Sequence, residues 1–69
     1  MTLADVKVGD LIIVEDEDFY PERLAVITGI KRDGKLKIRK RWRDRNSFRW
    51  SPIEIEISIS EVIRLEERV

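Results

Sequence analysis

Leu24-Ala25-Val26-Ile27-Thr28-Gly29-Ile30 runs into Lys31-Arg32-Asp33-Gly34-Lys35, and the chain returns as Leu36-Lys37-Ile38-Arg39-Lys40-Arg41-Trp42. Both runs are patterned with period two. Leu24, Val26, Thr28 and Ile30 fall on one face, with Arg23, Ala25, Ile27 and Gly29 on the other. Leu36 and Ile38 alternate with Lys35, Lys37 and Arg39. Asp-Gly between two such runs is the strongest short hairpin signal, because a type I′ turn needs positive φ at both central positions. A β-hairpin therefore anchors the reading, and an all-β fold grows outward from it.

Upstream, Lys7-Val8-Gly9-Asp10 reads as a turn into Leu11-Ile12-Ile13-Val14, an apolar run suited to a strand covered on both faces. Residues 15–22 then form an acidic loop around Phe19, Tyr20 and Pro21. Downstream, the returning strand fades after Trp42 into the polar, basic residues 43–49, and Ser51-Pro52 breaks the chain again. Ile53, Ile55, Ile57 and Ile59 alternate with Glu54, Glu56, Ser58 and Ser60, the signature of a half-buried strand. A short 3-10 turn near residues 60–62 leads into a last strand at Val62-Ile63-Arg64-Leu65. The competing reading there is a terminal helix capped by Ser60, with Val62, Leu65 and Val69 as its stripe. Five short strands in one domain spanning residues 1–69 predict a small closed barrel, since closure removes edges that a small sheet cannot otherwise protect.

Composition excludes several classes. The chain has no Cys and no His, which removes disulfides, Cys/His zinc sites, thiol chemistry and imidazole acid–base catalysis. No apolar run approaches the roughly 20 residues of a membrane span, and Met1-Thr2-Leu3-Ala4-Asp5 lacks a secretory signal pattern. The expected location is intracellular, cytoplasmic or nucleoid-associated. With no Gln, one Asn and 41% charged residues, the composition leans toward a thermophilic source.

The 14 basic and 14 acidic residues cancel overall, but they are segregated. Residues 1–30 carry a net of −5, residues 31–49 a net of +8 and residues 50–69 a net of −3. Either acidic and basic strands pair across a sheet, or the basic block meets an external anion such as nucleic acid.

Val8-Gly9-Asp10-Leu11-Ile12-Ile13-Val14, the following Glu15-Asp16-Glu17-Asp18, the apolar pattern of residues 24–30, Asp33-Gly34 and Glu61-Val62-Ile63-Arg64-Leu65 together resemble the Src-homology-3-like small-barrel superfamily. The likeness spans residues 6–66 and is closest to the C-terminal DNA-binding barrel of retroviral and retrotransposon integrases; Tudor-like barrels are also similar. It implies a five-stranded barrel. Residues 43–52 are longer and more arginine-rich than the integrase pattern, and the resemblance does not extend to integrase activity.

The residues themselves point to an anion-binding strand. Alternation puts Lys35, Lys37, Arg39, Arg41, Arg43 and Arg45 on one face, about 6.6 Å apart, a spacing that can follow a phosphate backbone. Five of the nine arginines lie in residues 39–49, and a guanidinium fork suits phosphate. Trp42 lies among them, either as a core plug or, at a bulged barrel rim, as a base-stacking residue. The expected interface is Lys35, Lys37, Arg39, Arg41, Trp42, Arg43, Arg45 and Arg49, binding DNA or RNA mainly through its backbone.

The alternative partner is a basic or methylated peptide, held in a cage of Phe19, Tyr20 and Trp50, or a second copy in a self-assembling scaffold. Glu15-Asp16-Glu17-Asp18 are contiguous and lack the alternate spacing and glycine of a calcium loop, so no metal or cofactor is expected. A non-catalytic module is the expectation.

Overall fold

The computed structural model describes residues 2–15, 22–44 and 47–68. Six strands follow in chain order: β1 Leu11–Glu15, β2 Glu22–Ile30, β3 Lys35–Asp44, β4 Ser47–Trp50, β5 Ile55–Ser58 and β6 Val62–Glu67. All pairings are antiparallel, and the hydrogen-bonded order is β4-β3-β2-β1-β6, with β5 also pairing with β3. Two 3-10 turns, Leu3–Asp5 and Ile59–Glu61, complete the described structure. No helix is long and apolar enough to cross a membrane among the described residues.

Alternation explains the core. Ile12 and Val14 on β1, Ala25 and Ile27 on β2, and Leu36 and Ile38 on β3 are fully or almost fully buried, and Val6 joins them from the N-terminal segment. Burying each such Ile, Leu or Val side chain contributes about 1.5–3 kcal/mol. Ile55, Ile57, Ile59, Val62 and Leu65 pack against this cluster from the other end of the chain. Ile13 points to the opposite face yet is also buried, as expected for a strand covered on both sides.

The turns follow from glycine. Gly9, at φ 97°, donates its N–H to the Ile27 carbonyl (2.8 Å), while the buried Asp10 accepts from the Lys7 N–H at 2.8 Å. At the central hairpin, Gly34 is at φ 90° and donates to the Lys31 carbonyl (3.4 Å), and the Lys31 N–H donates to the Lys35 carbonyl (2.9 Å). The Asp-Gly hairpin is present, but it turns through three loop residues (32–34) with glycine in the left-handed region, in place of a two-residue type I′ turn.

The all-β expectation holds, whereas the five-stranded closed barrel does not. A sixth strand, β4, arises within the basic segment past Trp42, where the sequence pattern predicts none, and β3 itself runs on to Asp44. β5 and β6 end the path β5-β3-β2-β1-β6 and are joined only by the 3-10 turn Ile59–Glu61, so the sheet must curl; no ladder joins them among the described residues. The reason is the corner itself. A 3-10 turn held by the Ser58 N–H donating to Glu61 (2.7 Å) redirects the chain without aligning the strands as a tight hairpin does. The Ile59 N–H donates to the Gly34 carbonyl (3.1 Å), fastening this corner to the hairpin tip. The 3-10 turn and the final strand match the sequence reading, and the helical alternative for residues 60–69 is not what forms. Ile53 departs from its alternating set: it precedes β5 and is 69% exposed.

Candidate nucleic-acid interface

Ten residues of β3 extend about 33 Å, close to the 36 Å longest dimension of the molecule. One edge of β3 lies along β2. The other is shared, with Lys35–Ile38 facing β5 and Arg41–Asp44 facing β4. This division sets the electrostatics of the basic row.

Along β5 the row meets acid. Lys35 Nζ lies 3.8 Å from Glu56, Lys37 Nζ lies 3.7 Å from Glu54, and Lys31 adds a 3.0 Å bond to Glu56. Glu54 also accepts a hydrogen bond from the Thr28 hydroxyl at 2.5 Å. That bond, reinforced by the Lys37 and Arg39 charges, holds the Glu54 carboxyl below its ordinary pKa, and Glu56 holds the Lys31 ammonium above its own. The cross-strand account of the charge segregation therefore applies to this half of the strand. Arg39, at the boundary, is half-buried, and its Nε lacks a hydrogen-bond partner.

Beyond Arg39 the partner strand is itself basic. Arg41 pairs in register with Trp50, Trp42 with Arg49, Arg43 with Phe48 and Asp44 with Ser47. Directly paired residues share a face of an antiparallel ribbon, so Trp42 and Arg49 lie on one face and Arg41, Phe48 and Trp50 on the other. The Arg23 guanidinium sits 4.4 Å from the Trp42 ring centroid, and the Arg41 guanidinium 4.3 Å from that of Phe48. The Ser51 N–H donates to the Lys40 carbonyl (2.7 Å), and Ser51 itself is buried, which pins the base of this arm to the sheet.

The arm is where large aromatic surface is left uncovered. Trp42 is 44% exposed, Phe48 61% and Trp50 41%. The partial exposure expected for Trp42 is found, although it arises from strand extension into a ribbon and not from a bulge at a barrel rim. Beside the arm, Leu11, Ile13, Leu24, Arg23, Arg41, Glu66 and Glu67 line an open groove of about 480 Å³.

Lys35, Lys37, Arg39, Arg41, Trp42 and Arg49 thus all lie on β3 and β4, but Trp42 and Arg49 take the opposite face from Arg41, and the two lysines arrive already paired with carboxylates. Arg45 lies outside the described residues, and for Arg43 only the backbone is described. Phe19 and Tyr20 of the alternative peptide site also lie outside them, while Trp50 sits on the opposite face of the ribbon from Trp42. Phe48 was missed in the sequence; its signal was the Ser-Phe-Arg-Trp alternation at 47–50, which defines a strand only once it has β3 to pair with. Among the described residues no group of three or more carboxylates is placed to hold a metal ion. No protein-family model, curated protein or solved structure matches this chain.

Proposed function

We propose that the protein is a non-catalytic nucleic-acid-binding module that engages its ligand through the β3–β4 arm. The observation that carries the reading is the coincidence, within residues 39–50, of six basic side chains against one carboxylate with three exposed aromatic rings. Cations attract the phosphate backbone and flat rings take bases; neither demands a particular sequence. Interior protein would bury those rings, and a purely solvated face would not need them. The strand path β5-β3-β2-β1-β6, with a 3-10 corner between its end strands, supports an unclosed variant of the Src-homology-3-like barrel as the scaffold, in line with the integrase-barrel resemblance. The role fits an intracellular protein.

The test is fluorescence anisotropy with short labelled oligonucleotides across a salt series. If three to five arm cations meet phosphates of duplex DNA, log affinity falls against log salt with a slope of about −2.7 to −4.5. Absence of binding to any oligonucleotide at about 50 mM salt overturns the reading.

A further inference from the structure

Phe48 and Trp50 stand two residues apart on β4, which places their side chains on the same face. Two residues of strand advance about 6.6 Å, and successive bases of a strand rise about 3.4 Å. Two rings separated by twice the base-stacking rise leave room for one flat base between them. Arg41, paired with Trp50 in register, reaches diagonally to lie 4.3 Å from the Phe48 centroid. A planar guanidinium thus already lies over the Phe48 ring, and it can leave the ring for a phosphate when a base arrives. Both rings are exposed, Phe48 more than any other aromatic described.

Resting on the nucleic-acid reading above, we propose that Phe48 and Trp50 form a slot for one unpaired base, with Arg41 as its movable filler, and that the protein therefore selects single-stranded over double-stranded nucleic acid. A base in a duplex reaches such a slot only after unpairing and unstacking, which costs a few kcal/mol. A base in a single strand is free to enter. Trp42, on the opposite face of the ribbon beside Arg23, cannot complete this slot and serves a second, separate stacking position.

The experiment titrates the full chain against three labelled probes of about 12 nucleotides, within the usual site size of small single-strand binders. They are a single-stranded deoxyoligonucleotide, its blunt duplex, and the single strand carrying abasic sites in place of bases. The single strand should bind at least about 5-fold more tightly than either the duplex or the abasic strand, the lower bound for one stacked base. Phe48→Ala with Trp50→Ala should weaken single-strand binding by roughly 5- to 150-fold and bring the single-over-double preference toward one. Phe48→Leu, which keeps apolar bulk without a π face, gives the same direction if the double variant fails to fold. In a Trp42→Phe variant, Trp50 is the sole indole, and the single strand should quench its fluorescence.

Equal affinity for single strand and duplex, or an abasic strand binding as well as the intact one, overturns the slot while leaving the nucleic-acid reading standing. Failure of all three probes overturns both.

Discussion

The two halves of β3 have nearly the same composition and opposite fates. Lys35 and Lys37 lie beside β5, where Glu54 and Glu56 stand within 4 Å, so the cations there are already matched. Arg41 and Arg43 lie beside β4, which contributes Arg49, Phe48 and Trp50. One strand is thus tied to carboxylates along its first half, while its second half runs beside a strand that carries arginine and aromatic side chains. Charge density along a sequence is not free charge; what matters is which strand the second edge meets.

The largest effect that could break this comparison is on folding. Ile38→Ala removes a fully buried side chain from the first half and should cost about 2–5 kcal/mol, enough to unfold much of so small a domain. Trp42→Ala, in the second half, should lower the thermal midpoint only slightly while weakening oligonucleotide binding by about 1–3 kcal/mol. Urea unfolding and anisotropy on both variants decide it. If Trp42→Ala unfolds the protein as readily as Ile38→Ala, the arm belongs to the core and the division fails.

A smaller effect separates the cations. Arg39→Gln with Arg41→Gln should reduce the salt slope by about 1.8, two phosphate contacts, with little change in the thermal midpoint, because Arg41 is exposed and the half-buried Arg39 Nε has no hydrogen bond to lose. Lys35→Gln with Lys37→Gln should change the slope much less, since Glu56 and Glu54 already neutralise those ammonium groups. Equal slope changes for the two pairs would show that the carboxylates do not shield the first half.

The converse substitution sharpens the same point. Glu54→Gln with Glu56→Gln releases Lys31, Lys35 and Lys37 and should steepen the slope by about 1–2 while raising affinity at low salt. An unchanged salt series would place the whole interface on the arm.

The smallest effect is on pH. Glu54, depressed first by the Thr28 hydroxyl and then by its basic neighbours, contributes stability that is fully present above its unfolded value near 4.5 and lost as pH falls through the lower folded value. Lys31, raised by Glu56, contributes stability that is present below its unfolded value near 10.5 and lost as pH rises through the folded one. From these two groups the thermal midpoint should be level across neutral pH and decline at both extremes. Thr28→Val should soften only the acid limb. An acid limb identical to that of the parent would remove Thr28 from the account.

Much of this was legible in the sequence. The β2–β3 hairpin, the inward-facing Leu36 and Ile38 and the final strand follow from alternation and turn chemistry, whereas alternation alone puts Trp42 on the core side and does not say that Ala25 and Ile27 form the buried face of β2. What was not legible depends on register between distant segments. Glu54 and Glu56 come within ion-pair reach of Lys37 and Lys35 because β5 pairs with β3 across some twenty residues, with Glu56 opposite Lys37, and no local pattern encodes that offset. β4 was hidden because its Ser-Phe-Arg-Trp alternation is only four residues long, and no Asn-Gly or Asp-Gly marks its turn. Ile53 shows the reverse failure: a perfect alternation continued one step beyond the strand that uses it.

The pairing of β1 with β6 has a kinetic consequence. Leu11 meets Glu67 across 55 residues of intervening chain, whereas Ile30 meets Leu36 across a loop of a few residues. Local hairpins close in microseconds, but long-range pairing waits until the entropy of a large loop has been overcome, so the β1–β6 seam sets the folding rate. The arm makes its strand pairings with β3 alone and takes no part in the β1–β6 ladder. Its substitutions should leave the refolding limb of a chevron plot where it stands, and the residues that meet a ligand can then drift, or be redesigned, without slowing the chain's route to its native state.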